Sequence, residues 1–304
     1  MSTERILVTG GNGRLGRAVL QQLGGRGVAG VRRPDAAKGA ILIDANGATA
    51  PRALDGITAI INCAGRTAGA HDAINQANII YPTRLAESAR AAGVRRFVQV
   101  SSFSIFGRTE HIGPDSPYAP AGQYGRSKLA AEQVLTTLDS AEFRTVPLRL
   151  PFMFSAEEPA LLGRLVTMML RLRALPTLAA KPSRRSMITY AGAADILIAL
   201  AQAPDIPRRG LAAADPEPLA LPTIARLIGE RLDRRIAIVP IPRAAVALAA
   251  MAFPLLVDRL FGSSILAPSA NLAASSGAHS VEAELARYLD RLADCPLSGQ
   301  YPGN

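Results

Sequence analysis

The chain has 304 residues, 49% of them apolar, enough for a packed core in one large or two modest domains. Its net charge is +10, yet the arginines are scattered, aromatics are few and no block of like charge occurs, which argues against nucleic acid as a partner. Cys63 and Cys295 are the only cysteines and have neither metal-ligand nor Cys-x-x-Cys spacing, so a reducing cytoplasm is expected and a metal site is not.

The first strand, Ile6 to Thr9, begins almost at once, leaving no room for a signal peptide and supporting a cytoplasmic location. It runs into Thr9-Gly10-Gly11-Asn12-Gly13-Arg14-Leu15-Gly16 and a helix over Arg14 to Leu23. Glycines at 10, 13 and 16 in a strand-turn-helix context suit a dinucleotide. They allow a tight turn, close approach of backbone to pyrophosphate and close helix packing, with the phosphates at the helix N-terminus. The second strand, Val28 to Val31, ends on Arg32 and Arg33, where an acidic residue would hold the adenosine ribose. A guanidinium there favours the 2′-phosphate of NADP over NAD. The third strand, Ala40 to Ile43, ends at Asp44, which either accepts the adenine amine or caps the following turn.

A fourth strand spans Ala59 to Cys63, a helix Asn78 to Ala92, and a fifth strand Phe97 to Ser101, with Ser102 at its end. The next helix, Tyr124 to Leu138, places Tyr124 and Lys128 four residues apart on one face, where an ammonium can stabilise a phenolate. Lys38, Lys128 and Lys181 are the only lysines, so a chance Lys at this spacing is improbable. The strand Thr145 to Leu150 completes residues 1–150, an alternation that predicts a doubly wound parallel sheet of Rossmann type. Residues 151–297 read as a smaller α+β substrate domain, with helices over Leu161 to Leu172 and Pro222 to Leu232. A strand at Ser186 to Tyr190 and a helix at Ala194 to Ala201 make residues 186–203 a late contribution to the sheet. The apolar run Ala244 to Val257 is shorter than the about 20 residues of a membrane-spanning helix and is broken by Pro254, so stable membrane insertion is not expected. Packing into the substrate domain or a subunit contact is its expected role, with docking on a membrane surface as the alternative. Residues 298–304 are Gly, Pro and polar, and read as a disordered tail.

The glycine turn, Asn62-Cys63-Ala64-Gly65, Asn78, Gly93-Val94-Arg95-Arg96-Phe97-Val98, Val100-Ser101-Ser102, Phe106-Gly107 and Tyr124-Gly125-Arg126-Ser127-Lys128 occur in an order that resembles the extended short-chain dehydrogenase/reductase superfamily, in its nucleotide-sugar epimerase, dehydratase and reductase branch. The resemblance implies that Ser102 orients the substrate oxygen, Tyr124 transfers the proton, and Lys128 lowers the phenol pKa while bonding the nicotinamide ribose. It places Gly10, Gly13, Arg14, Leu15, Gly16, Ala64, Gly65, Asn78 and Pro151 around the cofactor. Phe152-Met153-Phe154-Ser155 departs from the more polar ending usual after the Arg149-Leu150-Pro151 strand, which makes Phe152 a candidate substrate contact. Arg184-Arg185-Ser186 and Asp258-Arg259-Leu260 resemble a bacterial subgroup acting on UDP-linked amino sugars. Arg185 and Arg259 are candidates for the diphosphate, since planar guanidinium forks bind its oxygens bidentately.

The leading expectation is an NADP-dependent oxidoreductase of a nucleotide-linked sugar, acting at a 4-keto position. An NAD-dependent UDP-sugar 4-epimerase, a non-catalytic dinucleotide sensor or assembly subunit, and a reductase of a hydrophobic alcohol or sterol are the alternatives. A second copy of the chain is a candidate partner.

Overall fold

The computed structural model describes residues 4–33, 39–178, 183–206, 210–252, 262–272 and 279–294. In chain order these form β1 (Arg5–Thr9), α1 (Arg14–Leu23), β2 (Gly27–Val31), β3 (Ile41–Leu42), β4 (Ile57–Asn62), α2 (His71–Asn75), α3 (Tyr81–Ala91), β5 (Arg96–Ser102), β6 (His111–Ile112), α4 (Gln123–Leu138), β7 (Arg144–Leu150) and β8 (Phe152–Phe154). There follow α5 (Ala160–Leu172), β9 (Ala174–Leu178), β10 (Arg184–Arg185), β11 (Met187–Thr189), α6 (Tyr190–Gln202), β12 (Leu211–Ala212), β13 (Leu219–Ala220), α7 (Leu221–Leu232), β14 (Ala237–Ile241), α8 (Arg243–Ala252), β15 (Ile265–Leu266) and α9 (Val281–Asp294).

Seven strands form one parallel sheet in the order β3-β2-β1-β4-β5-β7-β12. The β-branched runs are apolar on both faces because both are covered. Along β1, Ile6 and Val8 join a core with Leu15, Val19, Ala193, Ala194 and Leu197 of α1 and α6. Leu7, between them, points the other way and packs with Leu85, Ala86 and Leu135 of α3 and α4. Alanines on the inner faces of α3 and α6 let these helices lie close on the sheet. The chain reverses its winding direction between β1 and β4, so the carboxyl ends of those two strands border the crevice where doubly wound sheets bind ligands.

Two segments differ from the sequence expectation. Met187–Thr189 does not enter the central sheet but pairs with β8, and Tyr190 already opens α6, whose N-cap Thr189 accepts from Gly192 N at 3.0 Å. The seventh strand comes from Leu211–Ala212 instead, too short a run to stand out by pattern. Likewise the helix expected to start at Asn78 starts at His71 and passes through a wide π turn over Gln76–Ile80.

A further core gathers Phe154, Leu162, Val166 and Met169 with Ile224, Leu227 and Ile228 of α7 and Val281, Leu285 and Leu289 of α9. The described part of the run Ala244 to Val257 does not join it. Leu248 and Met251, three residues apart on one face of α8, are exposed. No helix among the described residues is long and apolar enough to cross a membrane. Residues 298–304 and Arg259 lie outside the described residues.

Candidate active site

The turn after β1 is built against the turn after β4. Gly10 has φ +72°, and a Cβ there would lie 2.7 Å from Ala64 N, so only glycine lets these two turns meet. Gly13 N donates to Gly10 O at 2.9 Å and closes the turn. Gly13 is then the N-cap of α1, with no side-chain cap, which leaves the first backbone N–H groups, those of Arg14, Leu15 and Gly16, directed at the crevice. That arrangement fits a dinucleotide pyrophosphate. Arg32 and Arg33 stand exposed at the end of neighbouring β2. Asp44 caps the turn after β3, its Oδ1 accepting from Asn46 N at 2.8 Å and Ala48 N at 2.9 Å. The side chain of Arg14 turns away from the glycine loop to Glu158, which also accepts from Arg17 at 2.6 Å.

On the other side of the crevice, the π turn buries Asn78 and aims its amide at Arg66, accepting from the backbone N at 2.7 Å and donating to the carbonyl at 2.8 Å. Asn78 also donates to Ser127 Oγ at 2.9 Å, which ties α4 to the loop carrying Ala64 and Gly65. Such wide turns recur at functional sites because they re-aim one side chain without ending a helix. Lys128 is buried and donates from Nζ to Val100 O at 2.9 Å. A Cβ at Gly65 would approach that Nζ to 3.1 Å, so the ammonium lies against the loop after β4. The Tyr124 ring lies one turn earlier on α4, its centre 5.8 Å from Nζ. Gly125 beside it allows α4 to press on the turn after β5, where a Cβ would sit 2.4 Å from Ser104 O.

Ser102, the last residue of β5, accepts from Ser104 N at 3.2 Å and Ser104 Oγ at 2.7 Å, and its hydroxyl lies near enough to the Tyr124 phenol to draw that phenol's pKa down. The structure thus brings Ser102, Tyr124, Lys128, Asn78 and Gly65 together at the carboxyl edge of the sheet. Pro151 is buried at the end of β7, and Phe152 next to it is 40% exposed. Arg185 sits in β10, two residues before the strand that pairs with β8.

The electrostatics differ from the expectation of a lowered phenol pKa. Burial holds the Tyr124 phenol above its ordinary range, and the bond to Ser102 only partly offsets it. The same burial pushes Lys128 down to about 8, with the neighbouring Cys63 and Glu132 working in the other direction. Burial also pushes the Cys63 thiol up to about 12. The phenol therefore keeps its proton at neutral pH.

Two buried polar networks lie behind the site, one along the strands and one between α4 and β7. Thr9 Oγ1 donates to Asn62 Oδ1, and Asn62 Nδ2 donates to Gln99 Oε1 at 2.7 Å, a buried ladder across β1, β4 and β5. Glu132, one turn after Lys128, accepts from Arg149 Nη2 at 2.7 Å and from Ser101 Oγ. Arg149 in turn donates to Tyr118 Oη at 2.7 Å and to Gly210 O at 3.3 Å. A Glu at the fourth position after the lysine was the readable signal, since it falls on the buried face of the same helix.

Comparison with known proteins agrees with this geometry. The sequence model of the NAD dependent epimerase/dehydratase family matches residues 6–208. The 4-hydroxy-2-methyl-3-oxo-4-farnesyl-3,4-dihydroquinoline-1-oxide ketoreductase of Stigmatella aurantiaca is 31% identical over 186 residues, 53% of this chain and 54% of that one. The chain spans about half the length of the curated relatives it matches. A dTDP-4-dehydrorhamnose reductase from Clostridium acetobutylicum superposes with a TM-score of 0.67 at 19% identity, covering 95% of this chain and 99% of that one. The human epimerase family protein SDR39U1 with NADPH gives 0.68 at 21% identity, with the same coverage. At these identities the structures establish the shared fold. The family match over most of the sheet, with the glycine turn and the Tyr124 and Lys128 pair inside it, shows that this chain belongs to the NAD-dependent epimerase/dehydratase family.

Proposed function

We propose that the chain is an NADPH-dependent ketone reductase in which Tyr124 delivers the proton, and that its substrate is a 4-keto nucleotide sugar. The carrying observation is the placement of the Tyr124 phenol beside Ser102 at the end of β5, with Lys128 Nζ 5.8 Å from its ring centre and the phenol keeping its proton. A bound nicotinamide supplies hydride to the carbonyl carbon. Ser102 positions the carbonyl oxygen, and Tyr124 gives that oxygen its O–H proton as charge develops on it. Lys128 lies close enough to Gly65 and Tyr124 to hold the nicotinamide ribose and to favour the phenolate left after transfer. Arg32 and Arg33 at the end of β2 support NADPH, because a 2′-phosphate needs a cation there.

The likeness to a dTDP-4-dehydrorhamnose reductase supports the sugar substrate, as does Arg185 near the strand that carries Phe152. Exposed Phe152 and the farnesyl-quinoline ketoreductase relative favour a second reading, a lipophilic ketone. Both readings share the chemistry, and a substrate panel separates them. NADPH oxidation is followed with a UDP- or dTDP-linked 4-keto-6-deoxyhexose and with a long-chain β-keto acid. Turnover on the sugar supports the proposal, turnover on the keto acid alone moves it to the second reading, and inversion at C4 of UDP-glucose incubated in parallel with NAD, with no net cofactor turnover, replaces it by the epimerase.

A further inference from the structure

We infer that the face formed by β9, β14 and α8 docks peripherally on an anionic lipid surface. This does not rest on the reductase reading. The strands β9 and β14 pair in parallel, with Ala237 N donating to Arg173 O at 2.9 Å, which brings the end of α5 beside the start of β14. Pro242 then turns the chain directly into α8, whose first turns hydrogen-bond back to Pro242 O. Leu172, at the end of α5, is 62% exposed and Ile238 on β14 50%, and on α8, reached directly from β14, Leu248 is 71% and Met251 83% exposed. Both alternating faces of β14 are open, since Ala237 through Pro240 are all exposed. Exposed apolar side chains gathered in one place are unusual on a protein surface and mark a contact site.

The charge around them selects the partner. Residues 171–178 and 233–252 contain Arg171, Arg173, Arg234, Arg235 and Arg243 against the single acid Asp233. Exposed apolar side chains on segments that carry an excess of arginine match the acyl and phosphate layers of an anionic bilayer, where the apolar groups reach the headgroup boundary and the cations meet phosphates. The same charge disfavours a second copy of the chain, because a two-fold contact would bring ten arginines together with two aspartates. Addition of a partner's strand to the open edge of β14 is disfavoured by Pro240, which has no N–H to offer.

The test is co-sedimentation of the full chain with phosphatidylcholine vesicles and with vesicles containing phosphatidylglycerol. The expected result is binding to the anionic vesicles and, because exposed charge pairing is screened, binding about tenfold weaker at high salt. Leu248→Asp with Met251→Asp should weaken vesicle binding by about tenfold or more, since buried apolar area sets interfacial affinity. Arg234→Glu with Arg235→Glu should remove the preference for anionic lipid. Both double variants change exposed side chains, and unaltered NADPH binding and unfolding midpoint would confirm intact folds. Absence of vesicle binding, binding unchanged in Leu248→Asp/Met251→Asp, or a dimer in sedimentation velocity that this variant dissociates would each overturn the inference.

Discussion

Lys128 Nζ lies 5.8 Å from the centre of the Tyr124 ring and is held there by a 2.9 Å bond to the carbonyl of Val100, on the strand that ends in Ser102. The lysine is thus anchored to the sheet rather than to the phenol. Burial of the hydroxyl therefore raises the Tyr124 pKa, with Ser102 drawing it part of the way back.

Tyr124→Phe keeps the ring and its packing but removes the proton. Turnover should fall by roughly 10² to 10⁴, the usual worth of a positioned general acid, while NADPH affinity stays within about twofold. Steady-state rates and a fluorescence titration on the same preparation check both halves. Unchanged turnover would exclude Tyr124 as the proton donor.

The depressed Lys128 pKa makes a pH prediction with a definite sign. Between about 8 in the folded state and 10.5 in the unfolded chain, the unfolded chain binds a proton that the folded protein has lost, so this group's contribution to stability rises with pH across that window. Cys63 acts oppositely, because its thiol, pushed up to about 12 from 9.0, keeps a proton that the unfolded chain releases. The clean comparison is Cys63→Ala against Cys63→Ala/Lys128→Met, with urea midpoints at several pH values from 7 to about 11. The protein retaining Lys128 should gain stability relative to the double variant as pH rises. A difference that is flat or falls with pH would contradict the buried-lysine assignment.

Much of this was legible because it is local. The strand, turn and helix around Gly10 are short-range patterns, and the Tyr124 and Lys128 spacing follows from helical geometry. What escaped depends on contacts distant in sequence. The pairing of Met187–Thr189 with β8 is set by the C-terminal core rather than by its β-branched run. The π turn that aims Asn78 has no residue signature, and its neighbours read as ordinary helix. The run from Ala244 reads as packing into the substrate domain or a subunit contact, and within this chain Leu248 and Met251 stay exposed, which its apolar composition alone does not reveal. The protonated phenol required knowing the burial of Tyr124, which spacing alone does not give.

Arg32 is exposed at the carboxyl end of β2, so its replacement should report on cofactor choice without disturbing the core. Arg32→Asp converts a charge-assisted contact of about 1.5 to 3 kcal/mol into repulsion of the 2′-phosphate. NADPH affinity should drop by at least about tenfold and NADH affinity should change little. Equal affinities for the two cofactors in the unmutated protein would show that neither Arg32 nor Arg33 reads the phosphate.

The last prediction concerns Glu132 and Arg149, whose side chains are 6% and 9% exposed and which hold α4 to β7 directly behind the reacting groups. The guanidinium donates to Glu132, Tyr118 and Gly210, and its carbon lies 4.9 Å from the Tyr118 ring centre. Glu132→Gln keeps the shape but leaves a buried cation without its counter-charge. Breaking such a pair from one side costs about 3 to 5 kcal/mol, much more than an exposed ion pair is worth. The urea midpoint should therefore fall sharply. Arg149→Met combined with Glu132→Leu removes both charges together and should recover much of that loss, because the desolvation penalty disappears with the pair. If the pair serves only stability, the double variant will recover folding and turnover together. If it also positions α4, folding will recover while turnover stays low, since Ser101 loses its acceptor and Lys128 loses the nearest carboxylate. We expect the second outcome, read as kcat falling with NADPH affinity preserved. A single Glu132→Gln variant as stable as the parent would refute the buried-charge account itself.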